Sequence, residues 1–135
     1  MLDHIDHIGI AVTDVENAIT LYTTLGLRVS HDETVPTQGA RAVFLSAPHG
    51  PDIELLGALG DDTPVGKFLA KRGPGMHHIC YAVPNLATAV ATCIANGYEM
   101  IDPTPRIGAK GKPLAFIHPK AMGGVLIELY EANNL

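Results

Sequence analysis

Asp6-His7-Ile8-Gly9-Ile10-Ala11-Val12 returns 71 residues later as His77-His78-Ile79-Cys80-Tyr81-Ala82-Val83, and each copy is followed by a helix-start signal. Self-similarity at a fixed offset points to a duplicated supersecondary unit. The same offset of 71 carries Gly26, in Leu25-Gly26-Leu27, onto Gly97, in Asn96-Gly97-Tyr98. Each glycine stands where a helix would end and reverse into a strand. An offset of 74 carries Asp52-Ile53-Glu54-Leu55-Leu56 onto Leu126-Ile127-Glu128-Leu129-Tyr130, as expected if the second half holds a loop three residues longer.

Periodicity reads the same way in both halves. Ile5 to Val12 alternates as a strand. Thr13 with Glu16 three residues on has the form of a capping box, and Val15 to Leu25 places Val15, Ala18, Ile19 and Tyr22 at helical spacing. Arg41 to Ala47 and Asp52 to Leu56 read as strands around a Pro48-His49-Gly50-Pro51 turn. In the second half Met76 to Val83 is the strand, Asn85 the cap, Leu86 to Ala95 a helix, and Pro113 to Ile117 and Val125 to Leu129 the later strands. Asp61-Asp62-Thr63-Pro64 opens a short helix, with Pro64 suited to its first turn, that runs to about Lys71 before Arg72-Gly73-Pro74-Gly75 breaks it. The expected architecture is α+β: one domain over residues 1–135, made of two tandem βαβββ modules of about 1–60 and 75–135. A short helical linker joins them, and their mixed sheet curls around a common cleft.

Composition narrows the function. The chain has 135 residues, 47% hydrophobic and 17% charged, which places it among compact globular domains. A domain of this size buries roughly two-thirds of its unfolded surface and needs no disulfides. Cys80 and Cys93 lie in apolar stretches, the usual surroundings of buried free thiols. A formal net charge of −5 suits no nucleic-acid backbone. No apolar stretch approaches the ~20 residues that cross a bilayer. Met1-Leu2-Asp3-His4 has neither the basic start nor the apolar run of a signal peptide, so a cytoplasmic address is expected.

Alternation also sorts side chains by sheet face. Ile8, Ile10 and Val12 form the apolar face that must cover the first helix, which turns His7, Gly9 and Ala11 the other way. In the repeat, Ile79, Tyr81 and Val83 cover the helix while His78, Cys80 and Ala82 face opposite. Ile53 and Leu55 leave Glu54 facing the cleft, and Ile127 and Leu129 leave Glu128 there. Two imidazoles and two carboxylates are thus expected on the concave side. An ionised glutamate in such a place costs several kcal/mol unless a positive group meets it, and a divalent cation does so. A mixed set of two His and two Glu suits Co2+, Ni2+, Mn2+, Zn2+ or Fe2+ in a six-coordinate centre with two open positions. His77 faces the helix side or the strand edge, His4, His31 and His49 sit in end or turn segments, and His118 is left between the cleft mouth and solvent.

With these residues the chain resembles the vicinal oxygen chelate superfamily, which includes glyoxalase I, extradiol dioxygenases and fosfomycin-resistance proteins; the match covers nearly the whole chain. More narrowly, the Asp6–Val12 segment, Gly75-Met76-His77-His78-Ile79-Cys80, Ile107-Gly108-Ala109-Lys110-Gly111-Lys112-Pro113, Phe116-Ile117-His118-Pro119-Lys120 and Gly123-Gly124-Val125-Leu126-Ile127-Glu128-Leu129 are similar to the methylmalonyl-CoA epimerase family. The first motif is widespread in the superfamily; the Gly-Lys-Pro and His-Pro-Lys segments are far more specific to the epimerases. The resemblance implies that His7, Glu54, His78 and Glu128 are ligands of one divalent ion, with Co2+ foremost, and that the substrate is an acyl-CoA, methylmalonyl-CoA. It also implies a homodimer.

Epimerising C2 of such a thioester removes a proton flanked by a thioester and a carboxylate, and a metal stabilises the charge that develops on the thioester oxygen. Glu128 matches the glutamate to which the family gives a proton-transfer role on one face. Some members carry a second glutamate on the strand after a Gln-Gly turn. Here Gln38-Gly39 leads into Ala40-Arg41-Ala42-Val43, with no acid. Glu33, Lys112, His118 or a water are the substitutes for the opposite face. Seven basic residues fall in two clusters, Lys67, Lys71 and Arg72, then Arg106, Lys110, Lys112 and Lys120, and the second is the better candidate for contacts near the cleft. Two other activities and one non-enzymatic role fit the scaffold. The Gly-Lys-Pro and His-Pro-Lys segments count against a glyoxalase I-like lactoylglutathione lyase. A fourth ligand, Glu54, counts against a ring-cleaving dioxygenase. The four ligand-type residues count against a metal-free binding protein.

Overall fold

The computed structural model describes residues 1–132, which divide into two compact units. One comprises residues 7–77; the other comprises the chain from residue 78 onward together with residues 1–6.

The N-terminal unit contains most of β1 (His4–Val12), followed by α1 (Val15–Thr24), β2 (Arg28–Val35), β3 (Ala40–Ser46), β4 (Asp52–Ala58) and α2 (Pro64–Arg72). Its strands run in the order β2-β3-β4-β1. β4 lies parallel to β1, with Ile8 beside Ile53 and Gly9 beside Glu54, and β3 is antiparallel to both β2 and β4. Under α1, Ala18, Val43, Leu45 and Leu55 form a buried cluster against which Ile10, Val12, Ile19, Tyr22 and Ile53 pack. This is the apolar face that alternation assigned, and His7, Gly9 and Ala11 are buried on the other.

The C-terminal unit repeats the plan with β5 (Gly75–Val83), α3 (Leu86–Ala95), β6 (Arg106–Ile107), β7 (Pro113–Ile117) and β8 (Ile127–Glu131). The order is β5-β8-β7-β6, with β8 parallel to β5 and β7 antiparallel to β8. Val83, Ala89, Val90, Cys93, Ala115, Ile127 and Leu129 make the core under α3. Asp3 N–H donates to the Ala82 carbonyl at 2.9 Å, which ties the first residues to this unit. Each unit is therefore a βαβββ module of the expected α+β class.

The helix ends follow the duplication. Leu27 N–H reaches back to the Tyr22 carbonyl at 3.2 Å and Gly26 N–H to that of Thr23 at 3.0 Å; Tyr98 to Cys93 and Gly97 to Ile94 do the same at 2.9 and 3.0 Å. Both are Schellman closures, and Gly26 and Gly97 take the positive φ, 101° and 80°, that such a closure requires. The helix starts match less well with expectation. α1 is capped by Asp14, one residue beyond Thr13: its carboxylate accepts from Asn17 N–H at 3.0 Å, while Glu16 is taken by Arg41 and is not available for a capping box. Asn85 caps α3 as expected, accepting from Thr88 N–H at 2.9 Å, and Thr63 caps α2 ahead of Pro64.

β8 starts at Ile127, two residues later than the alternation from Val125 indicates, because the Gly123-Gly124 turn is still closing: Val125 N–H bonds the Met122 carbonyl. β6 has only two residues where its counterpart β2 has eight. Cys80 and Cys93 are buried and form no disulfide among the described residues, and burial pushes the Cys93 thiol pKa up. No helix among the described residues is long and apolar enough to cross a membrane.

Candidate functional site

Each unit brings one histidine of its first strand against one glutamate of its last. In the N-terminal unit His7 Nε2 lies 3.3 Å from Glu54 Oε1; in the C-terminal unit His78 Nε2 lies 3.0 Å from Glu128 Oε1. The parallel pairing of first and last strand produces this meeting, since Glu54 stands beside Gly9 and Glu128 beside Cys80, two positions along from the histidine on the same face. All four side chains are at least nine-tenths buried, a rare state for His and Glu without a partner that offsets lost hydration.

An aromatic ring backs each pair. Phe44, beside Glu54 on β3, meets the His7 ring edge-on with centroids 5.3 Å apart; Phe116, beside Glu128 on β7, meets His78 likewise at 5.5 Å. Neither phenylalanine stands out in the sequence as a site residue: Phe44 falls within the strand read from Arg41 to Ala47 and Phe116 within that from Pro113 to Ile117. An offset of 72, between the two offsets already visible, would have paired them. The rings fix the imidazole planes and leave Nε2 toward the carboxylate.

Donor chemistry suits a divalent ion. Ligands about 2.1 Å from a cation at right angles to one another are about 3 Å apart, which is the spacing of Nε2 and Oε1 within each pair. Imidazole nitrogen with carboxylate oxygen is the mixed set that Co2+, Mn2+, Ni2+, Zn2+ and Fe2+ accept.

The remaining candidates are placed as follows. Glu33, on β2, lies across from Ala42 and pairs with His31 at 2.9 Å; the register through Phe44 and Glu54 puts both on the face that carries His7. His31 is thus half-buried on a strand, not in a solvated turn as its sequence position indicates, because the polar run Arg28–Val35 forms an edge strand. His118 is used locally: Nδ1 accepts from Lys120 N–H at 3.0 Å and lies 3.6 Å from Glu99. His77 is stacked edge-on against Phe68 of α2 at 4.9 Å, and His4 and His49 are exposed. Lys112 is half-buried just before β7. Of the basic clusters, Lys67 and Lys71 are exposed, whereas Arg106 is half-buried and lies over Phe116.

Residues 6–116 match the family model described as glyoxalase/bleomycin resistance protein/dioxygenase superfamily. The chain belongs to that superfamily. Within the glyoxalase superfamily its relatives include the human protein named methylmalonyl-CoA epimerase, mitochondrial, 41% identical over 133 residues, which are 97% of this chain and 75% of the human one. The ethylmalonyl-CoA/methylmalonyl-CoA epimerase of Cereibacter sphaeroides is 39% identical over 96% of this chain and 98% of its own length. Among solved members of the superfamily, a variant of the Streptomyces coelicolor methylmalonyl-CoA epimerase in complex with 2-nitronate-propionyl-CoA superposes with a TM-score of 0.95, at 34% identity, over 100% of this chain and 98% of the other.

Proposed function

We propose that this chain is a metal-dependent epimerase of methylmalonyl-CoA, moving the C2 proton between the two faces of the acyl group. The observation that carries the reading is the duplicated, buried His–Glu pair with its nitrogen and oxygen at the spacing of neighbouring ligands. We take His7 and Glu54 with His78 and Glu128 as the ligands of a single divalent ion, Co2+ first among the candidates, and the two units as one domain that works as a homodimer in the cytoplasm. The epimerase relatives, similar over nearly the full chain, support the substrate class.

A divalent cation there supplies positive charge where the thioester oxygen turns negative as C2 loses its proton. The chain's own part is proton transfer and exclusion of water. Glu128 takes or returns the proton on one face, its carboxylate held beside His78 and backed by Phe116. Its burial keeps water from competing for the carbanionic carbon. For the opposite face the fitting group is Glu33, across from Ala42 on the face of His7 and oriented by His31.

Deuterium wash-in at C2 of methylmalonyl-CoA, run beside a lactoylglutathione assay on metal-replete protein, tests the reading. Incorporation at C2 with inversion is expected, and no activity on the glutathione adduct. Silence at C2 overturns the assignment; turnover of the glutathione adduct alone transfers it to a glyoxalase I-like lyase.

A further inference from the structure

We propose that Arg106 is the residue that recognises the substrate's charge: its guanidinium binds an oxyanion of the acyl thioester, either the acyl carboxylate or a coenzyme phosphate. The proposal rests on the acyl-CoA reading above.

Arg106 stands on β6 opposite Leu114, and β7 in turn sets Phe116 opposite Glu128. Side chains two apart on a strand share a face, so Arg106, Leu114, Phe116, Glu128 and His78 all lie on one side of the C-terminal sheet. The guanidinium carbon is 5.5 Å from the centroid of the Phe116 ring, and that ring touches the His78 imidazole. Arg106 is thereby one aromatic ring away from the His78–Glu128 pair.

Its orientation is set by Asp102. The carboxylate accepts from Arg106 Nε at 3.0 Å through Oδ1, while Oδ2 accepts from the Phe116 backbone N–H at 2.9 Å. Asp102 is thus fastened to β7 and can offer Arg106 only one oxygen. An ion pair serving stability alone would use the two-pronged contact that a free aspartate gives an arginine, as Asp32 does with Arg41. Here the two terminal amino groups have no hydrogen-bond or ion-pair partner among the described residues.

A guanidinium that is always charged, stacked on a ring and bonded along one edge presents its remaining donors in a fixed plane. That plane matches a carboxylate or a phosphate. The need is local: the chain carries a net charge of −5 and must still attract an anion. Lys120 is a weaker candidate, since it is mostly exposed and 3.9 Å from Glu99.

The test is calorimetric titration of metal-replete protein with methylmalonyl-CoA and with propionyl-CoA, which has the same phosphates and no acyl carboxylate, for the wild type, R106Q and R106K. Loss of a charged hydrogen bond predicts affinity for methylmalonyl-CoA at least about tenfold weaker in R106Q. If propionyl-CoA binding is unmoved, the partner is the carboxylate; if both weaken alike, it is a phosphate. Unchanged binding of both overturns the proposal. Arg106→Lys keeps the charge without the fork and restores only part of the affinity, and full restoration overturns recognition by the planar fork. Thermal unfolding checks that each variant is folded, and the lysine variant carries the test should glutamine disturb β6. Wild-type protein silent in C2 wash-in overturns the epimerase reading, whereas the titrations still judge Arg106 separately.

Discussion

His78 Nε2 and Glu128 Oε1 are 3.0 Å apart on adjacent parallel strands, and the first unit repeats the relationship between His7 and Glu54. Folding alone does not call for it: a buried charged pair exchanged for apolar residues of similar volume is often neutral or stabilising, whereas removal of one partner is costly.

The double substitution His78→Leu with Glu128→Leu should therefore leave the thermal midpoint at or above that of the metal-free wild type while abolishing C2 exchange. Glu128→Gln alone should lower kcat by about 10²–10⁴, the usual contribution of a positioned proton-transfer group. A leucine pair that unfolds the protein, or a glutamine variant of full activity, would assign the pair to structure.

Metal removal gives a second expected outcome. Elemental analysis should return about one divalent ion per chain, and dialysis against a chelator should abolish epimerisation and lower the thermal midpoint, because an ion that binds only the folded state stabilises it. Cobalt should restore both, and His7→Ala should lose the ion along with activity. Activity that survives complete metal removal contradicts the proposed ligand set.

Much of this was legible in the sequence because duplication writes each landmark twice. The first strands, α3 and β7 fall where alternation and helical spacing put them, and the His–Glu pairs follow from the pleat. Edge strands were harder to read. β2 carries the polar run His31-Asp32-Glu33-Thr34, so its face pattern is set by cross-strand neighbours, not by an apolar stripe, and β6 is too short to leave a period. Phe44 and Phe116 look like any core aromatic until the register sets them beside the glutamates. Arg106 shows in the sequence only as one member of the second basic cluster, since Asp102 and Phe116 reach it through folding.

Glu33 allows a face-specific outcome. If it serves the side opposite Glu128, Glu33→Gln should stop inversion while C2 of one epimer still exchanges with deuterated solvent, read by mass spectrometry and chiral analysis. Its half-exposed position on an edge strand makes the substitution mild for stability. Inversion at the wild-type rate would remove Glu33 from the mechanism and leave the second face to Lys112 or water.

Gly66 tests the packing of α2. A Cβ there would lie 2.2 Å from the Gly60 carbonyl oxygen and 3.0 Å from the Asp61 backbone, atoms that cannot rotate aside. Glycine to alanine inside a helix normally gains about 1 kcal/mol. Here overpacking of about 1–3 kcal/mol outweighs it, so Gly66→Ala should lower the thermal midpoint by a few degrees. A raised midpoint would show that α2 is free to move away from the 60–61 turn.

Acid stability tests the network that took Glu16 from the capping box. Arg41 holds Asp32 through Nε and Nη2 at 3.0 and 2.7 Å and reaches Glu16 through Nη1 at 2.6 Å. The hydrogen bond from Arg41 is the largest effect on the Asp32 pKa and lowers it; desolvation opposes that, the charge of Arg41 adds to the lowering, and the same bonds raise the pKa of Arg41. A carboxylate with a lowered folded-state pKa contributes its full stability above the ordinary Asp value of about 3.9 and loses it as pH falls through the lowered value. Arg41 stays charged throughout, so it adds no dependence in that range. The unfolding free-energy difference between wild type and Arg41→Met should thus be constant near neutrality and shrink on acidification below about pH 4. With side chains 31% and 42% exposed, solvent holds the Asp32 part of that difference under about 1 kcal/mol, and salt should reduce it further. A difference that widens in acid would mean that Asp32 is not the group whose proton Arg41 controls.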